Sequence, residues 1–247
     1  GEKVAALMGG MGRQFDGGYA EYTLVPASSV FSIKTDLDWA TLGAIPEMFQ
    51  TVWGSLTVGL EIQAGQTLLI RGGTSSIGMT TTRLAKEMGL TVLATTRNPQ
   101  KADKLRANGV DHVVIDDGRI HQKVCEIVPN GVDRVLELVG TVTLRDSLKC
   151  ATVGGIVCMT GILGNEWTMK DFTPMGDIPT GVKLTSYAGI ADYLDPQLLQ
   201  KFVDDVATGR QQVNLDRIFR IEEIQIAHRY MESNQATGKL VVVIDEK

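Results

Sequence analysis

The chain has 247 residues, 43% of them hydrophobic, and a formal net charge of −5. This length suffices for one large or two modest domains with buried cores. The acidic balance argues against nucleic acid and anionic membrane as partners, because proteins that bind these polyanions are usually basic.

The three cysteines, Cys125, Cys150 and Cys158, are widely spaced and form no C-x-x-C pair. An odd number of cysteines at such spacing argues against a disulfide framework, so we expect a reducing compartment and a cytoplasmic location. No apolar stretch is long enough to span a membrane, and the first residues do not resemble a signal peptide.

In chain order, residues 1 to about 45 are predicted to form short strands and turns, including a strand over 19–25 that Pro26 ends. A helix is predicted over 47–59. Apolar strand segments then alternate with amphipathic helices. The predicted strands are 67–71, 91–95, 112–115, 132–138, 155–160 and 182–187, and the predicted helices are 77–88, 99–108, 120–128 and 144–151. The alternation predicts an α/β fold with right-handed βαβ units and a parallel sheet.

The tail returns to mixed elements, with helices predicted over 196–208 and 222–233 and strands over 217–221 and 239–244.

In an open parallel sheet, ligands bind at the carboxyl ends of the strands, where the strand order reverses. We therefore expect a ligand site between the first and fourth strands of the sheet. Six residues at or directly after the carboxyl ends of two of these strands are candidates to line this ligand site: Leu138, Val139, Gly140, Thr160, Gly161 and Ile162.

A glycine-rich turn follows the first strand of this sheet, at residues 72–78. Gly73, Ser75 and Gly78 occupy the three glycine positions of G-x-G-x-x-G, the phosphate-binding fingerprint of dinucleotide-binding domains. Gly73 is expected to permit the sharp turn and Gly78 to let the helix pack on its strand, while amides of the first helical turn face the pyrophosphate. The Ser75 hydroxyl is an additional candidate donor to phosphate. The alternative is a turn that serves packing alone. The candidate residues are Gly73, Thr74, Ser75, Ser76, Ile77 and Gly78.

The end of the second strand predicts which dinucleotide binds. An NAD site would place a carboxylate there to bind the ribose hydroxyls, but the sequence has Thr95, Thr96 and Arg97, with Lys101 one turn later. Two hydroxyls and two cations favour the 2′-phosphate of NADPH. The alternative is that Arg97 and Lys101 are a solvated helix start.

Several segments occur in the order and spacing of a known family. They are Gly-Tyr-Ala-Glu-Tyr at 18–22, the turn at 72–78, Ala-Asn-Gly-Val-Asp-His-Val at 107–113, Val-Asp-Arg-Val-Leu-Glu-Leu-Val-Gly at 132–140, and the closing Gly-Lys-Leu-Val at 238–241. Together they resemble the medium-chain dehydrogenase/reductase superfamily, in its quinone oxidoreductase-like branch. The resemblance extends over essentially the whole chain.

The resemblance implies a central Rossmann dinucleotide-binding domain, a doubly wound parallel sheet, over residues 46–190. Parts of a GroES-like, β-rich substrate domain would lie at 1–45 and 191–247. It further implies that most of the GroES-like barrel lies upstream of Gly1, so that the chain is a fragment or a shortened member. A homodimer would form by joining of the Rossmann sheets edge to edge near residues 156–160.

The resemblance also bears on metal and cofactor contacts. Zinc relatives carry a cysteine-rich lobe where this chain has only residues 5–18, and they have a cysteine in the helix at 47–54 that this chain lacks. We therefore expect no zinc. Thr51 would contact the carboxamide side of the nicotinamide, or else serve helix packing. Lys239 would reach the cofactor, or else be solvated surface.

Without zinc, hydride transfer to a quinone or an α,β-unsaturated carbonyl compound is more natural than alcohol oxidation. The sequence identifies no catalytic proton donor. A 2-enoyl thioester reductase and a non-catalytic NADPH-binding sensor or scaffold are the alternatives. A short-chain reductase is excluded, because no tyrosine has a lysine four residues later. The loop at 163–179 would line an apolar cleft or pack between subunits.

Overall fold

The computed structural model describes residues 1–189, 194–233 and 235–244. Contacts divide the chain into two units. We call Gly1–Gln50 with Gly189–Lys247 the terminal unit and Thr51–Ala188 the central unit. Among the described residues, no helix is long and apolar enough to cross a membrane.

The elements are numbered in chain order. The chain begins with β1 (Val4–Ala6), β2 (Val30–Ser32), α1 (Trp39–Gly43) and α2 (Pro46–Gly54), which a π-helical turn at Ser55–Gly59 extends. It continues with β3 (Thr67–Arg71), α3 (Ser76–Glu87), β4 (Thr91–Thr96), α4 (Ala102–Ala107), β5 (His112–Ile115), α5 (His121–Ile127), β6 (Val132–Glu137), α6 (Thr141–Lys149), β7 (Ala151–Met159), α7 (Pro174–Asp177) and β8 (Lys183–Ser186). It closes with α8 (Pro196–Ala207), β9 (Leu215–Arg220), α9 (Ile224–Glu232) and β10 (Lys239–Val243).

The central unit is built on a six-stranded sheet in the order β5-β4-β3-β6-β7-β8, and all of its pairings are parallel. The predicted α/β fold is confirmed. The strand order reverses between β3 and β6, so the first and fourth strands of the sheet are neighbours, as expected. This arrangement leaves a crevice at their carboxyl ends.

The core of the sheet is a row of apolar side chains that crosses four neighbouring strands. Leu69 is in register with Leu93 and with Val135, and Val135 is in register with Val157. All four side chains are fully buried. A parallel sheet covered by helices on both faces requires such apolar strands, and this requirement explains why the strand segments were readable in the sequence.

Two predicted boundaries in the central unit are wrong by several residues. The helix predicted to start at 144 starts at Thr141. Gly140, with φ of +104°, is its N-cap residue, so helical backbone begins at the next residue. The strand predicted to start at 155 starts at Ala151, which pairs with Val132 before a register shift. That short pairing across an irregularity has no signature in the apolar pattern.

The terminal unit contains two small sheets, β1 with β2 antiparallel and β9 with β10 parallel. Phe49 on α2 stacks on Phe202 on α8 with ring centroids 4.6 Å apart. Ala40 and Ala44 pack with Val241 of β10. The closing elements predicted at 196–208, 217–221, 222–233 and 239–244 are confirmed in type, with small shifts in their bounds.

The strand predicted at 19–25 is wrong. These residues form bends and irregular backbone, and Tyr22 and Leu24 are 89% and 91% exposed. Alternating side chains form a strand only where a neighbouring strand accepts the hydrogen bonds. Among the described residues of this unit, no strand pairs with this segment.

The expected dimer edge also needs correction. Ile156–Met159 pair with β6 on one side and with β8 on the other. Both hydrogen-bonding edges of β7 are therefore occupied at these residues, and no second sheet can join there. Within the described chain, the open edge on this side of the sheet belongs to β8.

The buried row predicts a contrast between two valines of β7. Val157→Ala is expected to lower the free energy of unfolding by about 2–3 kcal/mol, because it removes two buried methyl groups and leaves a cavity. Val153→Ala, at an 80% exposed position of the same strand, is the matched control and should change it by less than about 0.5 kcal/mol. Urea unfolding followed by circular dichroism measures both, and equal effects would contradict the assigned core.

Candidate functional site

The glycine turn lies at the carboxyl end of β3 and is fixed against β4. The amide of Gly72 donates to Oγ1 of Thr95, and the amide of Gly73 donates to the carbonyl oxygen of Thr95, each at 3.0 Å. A Cβ atom at Gly73 would lie 2.8 Å from Cβ of Ala94. The turn thus leaves no space for a side chain on the strand side.

The third glycine position shows the same constraint. A Cβ atom at Gly78 would lie 2.7 Å from the carbonyl oxygens of both Gly72 and Gly73, so the first turn of α3 packs directly on the chain that precedes it. The left-handed conformation falls on Gly72, with φ of +96°, and not on Gly73. The role expected for Gly73 in the sharp turn is therefore corrected: it is needed for close packing, and Gly72 makes the turn.

Ser75 is the N-cap of α3. Its Oγ donates to the carbonyl oxygen of Gly72 at 2.8 Å and accepts from the amide of Gly78 at 3.1 Å. The single hydroxyl proton is therefore used within the turn, and the expected donation to phosphate is not what the structure shows. The amides of Ser76 and Ile77 belong to the first helical turn, where no carbonyl four residues earlier lies in the helix. These amides and the helix dipole are the groups suited to an anion.

The residues at the end of β4 divide into buried hydroxyls and outer cations. Thr95 and Thr96 are buried, and Thr96 Oγ1 donates to the carbonyl oxygen of Asn98 at 3.1 Å. Arg97 is exposed and Lys101 is half-buried. The threonines therefore shape the turn, while the two cations are the groups placed to meet solvent or a ligand.

The two loops that follow β6 and β7 are joined backbone to backbone. The amides of Thr160 and Gly161 donate to the carbonyl oxygen of Glu137 at 3.0 and 3.1 Å. The amide of Leu163 donates to the carbonyl oxygen of Leu138, and that of Gly164 to Val139. A Cβ atom at Gly161 would lie 2.5 Å from the carbonyl oxygen of Leu138. The structure thus brings together the candidate residues 138–140 and 160–162.

Thr51 is connected to the same loops through a serine. Ser55 Oγ donates to the carbonyl oxygen of Thr51 at 2.6 Å and lies 2.9 Å from Oγ1 of Thr160. The turn of α2 that carries Thr51 is thereby fixed to the loop after β7. Ser55 was not identified from the sequence, where its neighbours read only as an apolar helix.

A cluster of buried charged and polar groups lies at the carboxyl ends of the strands, and sequence analysis missed it. We call it the Arg71 cluster, and it comprises Arg71, Asp116, Glu137, Asp146 and Ser147. Nε and Nη2 of Arg71 bind the two carboxylate oxygens of Asp116 at 2.9 and 3.0 Å. Nη1 lies 2.9 Å from Asp146 and 3.0 Å from Oγ of Ser147, which in turn hydrogen-bonds Glu137. Arg71 is fully buried.

The surroundings of Asp116 and Glu137 shift the pKa values of these two carboxyl groups in opposite directions. Burial alone would raise the pKa of Asp116, but the hydrogen bonds and charge of Arg71 outweigh it and hold that pKa below its usual value. Burial dominates at Glu137 and raises its pKa. The available signal was an arginine at the end of an otherwise apolar strand, which predicts a buried counter-charge.

The thiols do not form a metal site. Burial raises the pKa of both Cys150 and Cys158, which disfavours the thiolate form that binds zinc. Cys158 lies within β7, as predicted, with its sulfur 3.5 Å from Oγ1 of Thr160. Within the described part of the chain, no three His, Cys, Asp or Glu side chains are grouped to hold a metal ion.

Lys239 is the one candidate residue that lies in the terminal unit, at the start of β10. Burial lowers the pKa of its amine, and the charge of Glu47 in the same unit opposes this shift.

The segment 163–179 lies in the central unit and is bound to α6 by Arg145, whose Nε is 2.8 Å from Asp177. Trp167 in this segment is 67% exposed.

The sequence of this chain is similar to a known protein family and to several proteins of known name. The sequence model of a family described as zinc-binding dehydrogenase matches residues 108–242, more than half of the chain. The quinone oxidoreductase of Sus scrofa is 26% identical over 233 residues, which cover 92% of this chain and 70% of that protein. The squalestatin tetraketide synthase of Phoma sp. is 27% identical over 256 residues, which cover 100% of this chain but 10% of the synthase.

Solved structures show the same fold. A mycobacterial protein in complex with NADPH matches with a TM-score of 0.81 at 21% identity, over 92% of this chain and 73% of that chain. The CurK enoyl reductase matches with a TM-score of 0.75 at 20% identity, over 90% of this chain and 67% of that chain.

The Arg71 cluster predicts a strong and pH-dependent loss of stability. Arg71→Met is expected to lower the free energy of unfolding by about 3–5 kcal/mol at pH 7, because buried carboxylates lose their cation. In the variant, the unpaired Asp116 has a raised pKa, so protonation relieves the penalty as the pH falls toward 3.8, the usual aspartate pKa. In the wild type, where that pKa is depressed, the pair's contribution is full above 3.8 and is lost below it. The difference should therefore narrow in acid.

Urea unfolding at pH 7 and at about pH 4 measures this difference. Arg106→Met is the control, because Arg106 forms an exposed pair with Asp103 and its removal should cost less than about 1 kcal/mol at either pH. A constant difference at the two pH values would show that the cluster does not stabilise through charge.

Proposed function

Because the chain belongs to the zinc-binding dehydrogenase family, in the quinone oxidoreductase-like branch of the medium-chain dehydrogenase/reductase superfamily, we propose that it is an NADPH-dependent reductase. It transfers a hydride to a quinone or an α,β-unsaturated carbonyl compound without zinc. The observation that carries this proposal is the packing of the turn at Gly73 and Gly78, where added Cβ atoms would meet neighbours at 2.7–2.8 Å. This packing places the amides at the start of α3 directly at the carboxyl end of β3, which is where a dinucleotide-binding domain holds the pyrophosphate.

The choice of NADPH rests on the end of β4. No carboxylate is present at residues 95–97 to bind ribose hydroxyls, and Arg97 and Lys101 supply two cations. The threonine hydroxyls are buried, so we assign the 2′-phosphate to the cations alone. The NADPH complex of a mycobacterial protein with the same fold is consistent with this assignment.

The reaction type follows from the groups around the proposed nicotinamide position. A bound NADPH would supply the hydride, while the protein binds and orients the reactants and excludes water. In a quinone or enone, the charge that follows hydride arrival spreads onto a distal carbonyl oxygen, so no metal is required at the reacting carbon. Residues 138–140 and 160–162, with Thr51, are assigned to the nicotinamide half, and Lys239 to a supporting cofactor contact.

We also retain the two-domain interpretation. The central unit is assigned to dinucleotide binding and the terminal unit to a GroES-like substrate domain. Assembly as a homodimer remains part of the proposal, with the open edge of β8, rather than β7, as the strand that would pair.

A second candidate function is the reduction of a 2-enoyl thioester. The specific support is the structural match to the CurK enoyl reductase and the match of the complete chain to one tenth of the squalestatin tetraketide synthase. Both reactions deliver a hydride to a conjugated double bond, and they differ in the group that carries the substrate.

The cofactor assignment predicts a selective loss of affinity. The double variant Arg97→Ala, Lys101→Ala should weaken NADPH binding by about 100-fold, because two charge-assisted contacts to the 2′-phosphate are lost. NADH binding should change by less than about threefold. Titration followed by nicotinamide fluorescence measures both dissociation constants. Lys104→Ala, Arg106→Ala, which removes two cations from α4, is the matched control, and an equal loss for both cofactors would refute the 2′-phosphate assignment.

The substrate proposal predicts that the protein reduces quinones. The rate of NADPH oxidation at saturating cofactor measures this turnover. Quinone turnover without enoyl thioester turnover supports the first function, and the reverse result supports the second. Saturable NADPH binding without turnover of either class would instead favour the non-catalytic sensor or scaffold.

A further inference from the structure

Glu137 has no exposed surface, although it ends the central strand β6 and carries an ionisable side chain. Burying a carboxyl group is unfavourable unless hydrogen bonds satisfy its oxygens. A less costly apolar residue would fill the same space in a strand, so the carboxyl group calls for a structural reason.

The hydrogen bonds of Glu137 supply that reason. Its Oε1 accepts from the amides of Val139 and Gly140, at 2.7 and 2.9 Å, and therefore binds back onto the turn that follows its own strand. Its Oε2 accepts from Oγ of Ser147. Ser147 in turn accepts from Nη1 of Arg71, so its single hydroxyl proton is directed at Glu137.

The turn that follows β6 has a restricted backbone conformation that these hydrogen bonds support. Gly140 adopts φ of +104°, and a Cβ atom there would lie 3.0 Å from the carbonyl oxygen of Gly161 and 3.2 Å from Cα of Ile162. The carbonyl groups of Leu138 and Val139 are bound by the amides of the loop after β7. The carboxyl group of Glu137 binds the amides of the same turn, so both the carbonyl groups and the amides of the turn have hydrogen-bond partners.

We propose that Glu137 is a positioning residue that sets the Leu138–Gly140 turn, and with it the loop at 160–162, in the conformation that the nicotinamide half of the cofactor requires. This inference rests on the proposed function, because it assumes that a dinucleotide binds at these loops. The adenine half is assigned to Arg97 and Lys101 at the end of β4, and its 5′-phosphate to the amides at the start of α3. Glu137 makes its hydrogen bonds to Val139, Gly140 and Ser147 and to none of these groups.

Glu137→Gln is the informative variant because it keeps the size of the side chain. The carboxamide has one acceptor oxygen. It either faces the two amides and turns a donor toward the Ser147 hydroxyl, or faces Ser147 and turns a donor toward the amides. In the first orientation the two amides bind a neutral oxygen, which is a weaker acceptor than a carboxylate oxygen, and in the second they face a donor. The hold on the turn is therefore weakened in both cases.

The experiment measures the affinity of the chain for NADPH and for adenosine 2′,5′-bisphosphate, which lacks the nicotinamide half, by isothermal titration calorimetry. Glu137→Gln should weaken NADPH binding by about tenfold and leave the bisphosphate within about twofold of wild type. Asp133→Asn is the matched control. Asp133 lies on the same strand and accepts from the amide and hydroxyl of Thr67 at the opposite end of the sheet, so both affinities should be unchanged.

Amide hydrogen exchange without any ligand gives the second readout. Glu137→Gln should accelerate exchange at Val139 and Gly140 and leave Val135 unchanged. Unaltered exchange at the turn, or equal weakening of both ligands, would overturn the inference. If the wild type binds neither ligand, the proposed function fails, and the exchange data alone then decide whether Glu137 holds the turn.

Discussion

The buried guanidinium of Arg71 is the interaction on which the carboxyl edge of the central sheet depends. It lies at the end of β3 and binds Asp116, which follows β5, and Asp146, on the helix that follows β6. These contacts join chain segments 45 and 75 residues apart in sequence. Because Arg71 and Asp116 are buried, removing Arg71 would leave the carboxylate of Asp116 without its cation. The edge is therefore held by charge pairing, while the interior of the sheet is held by apolar packing.

The proposed site begins where this pairing ends. Gly72 directly follows Arg71, and the carbonyl oxygen of Arg71 accepts the amide of Leu138 at 3.1 Å. The first residues of two loops of the proposed site are thus fixed by Arg71. Its carbonyl group binds the residue after β6, and its side chain binds the loop after β5 and helix α6. Loops on such a scaffold can carry glycine-rich, side-chain-poor backbone without losing their conformation. This is the condition that a phosphate-binding turn requires.

The sequence was sufficient for the features that depend on local pattern. The strands of the sheet are apolar because both faces are covered, and Gly73 and Gly78 stand out because a close approach forbids a side chain. The features it did not reveal depend on distant partners. Neither the pairing of Arg71 with Asp116 nor the use of the Ser75 hydroxyl within its own turn follows from spacing. The alternation at 19–25 misled for the same reason, since a strand needs a neighbour that a local pattern does not specify.

The distribution of charge at this edge explains why cofactor choice is placed on exposed residues. The Arg71 cluster contains one cation and three acidic side chains, so its charge is not positive and it does not favour an anionic ligand. In the proposed complex, the attraction is assigned to the amides at the start of α3 and to Arg97 and Lys101, whose charges are nearer to water and are screened by salt. The buried groups therefore fix where the loops lie, and the proposed function leaves the choice of dinucleotide to the outer cations.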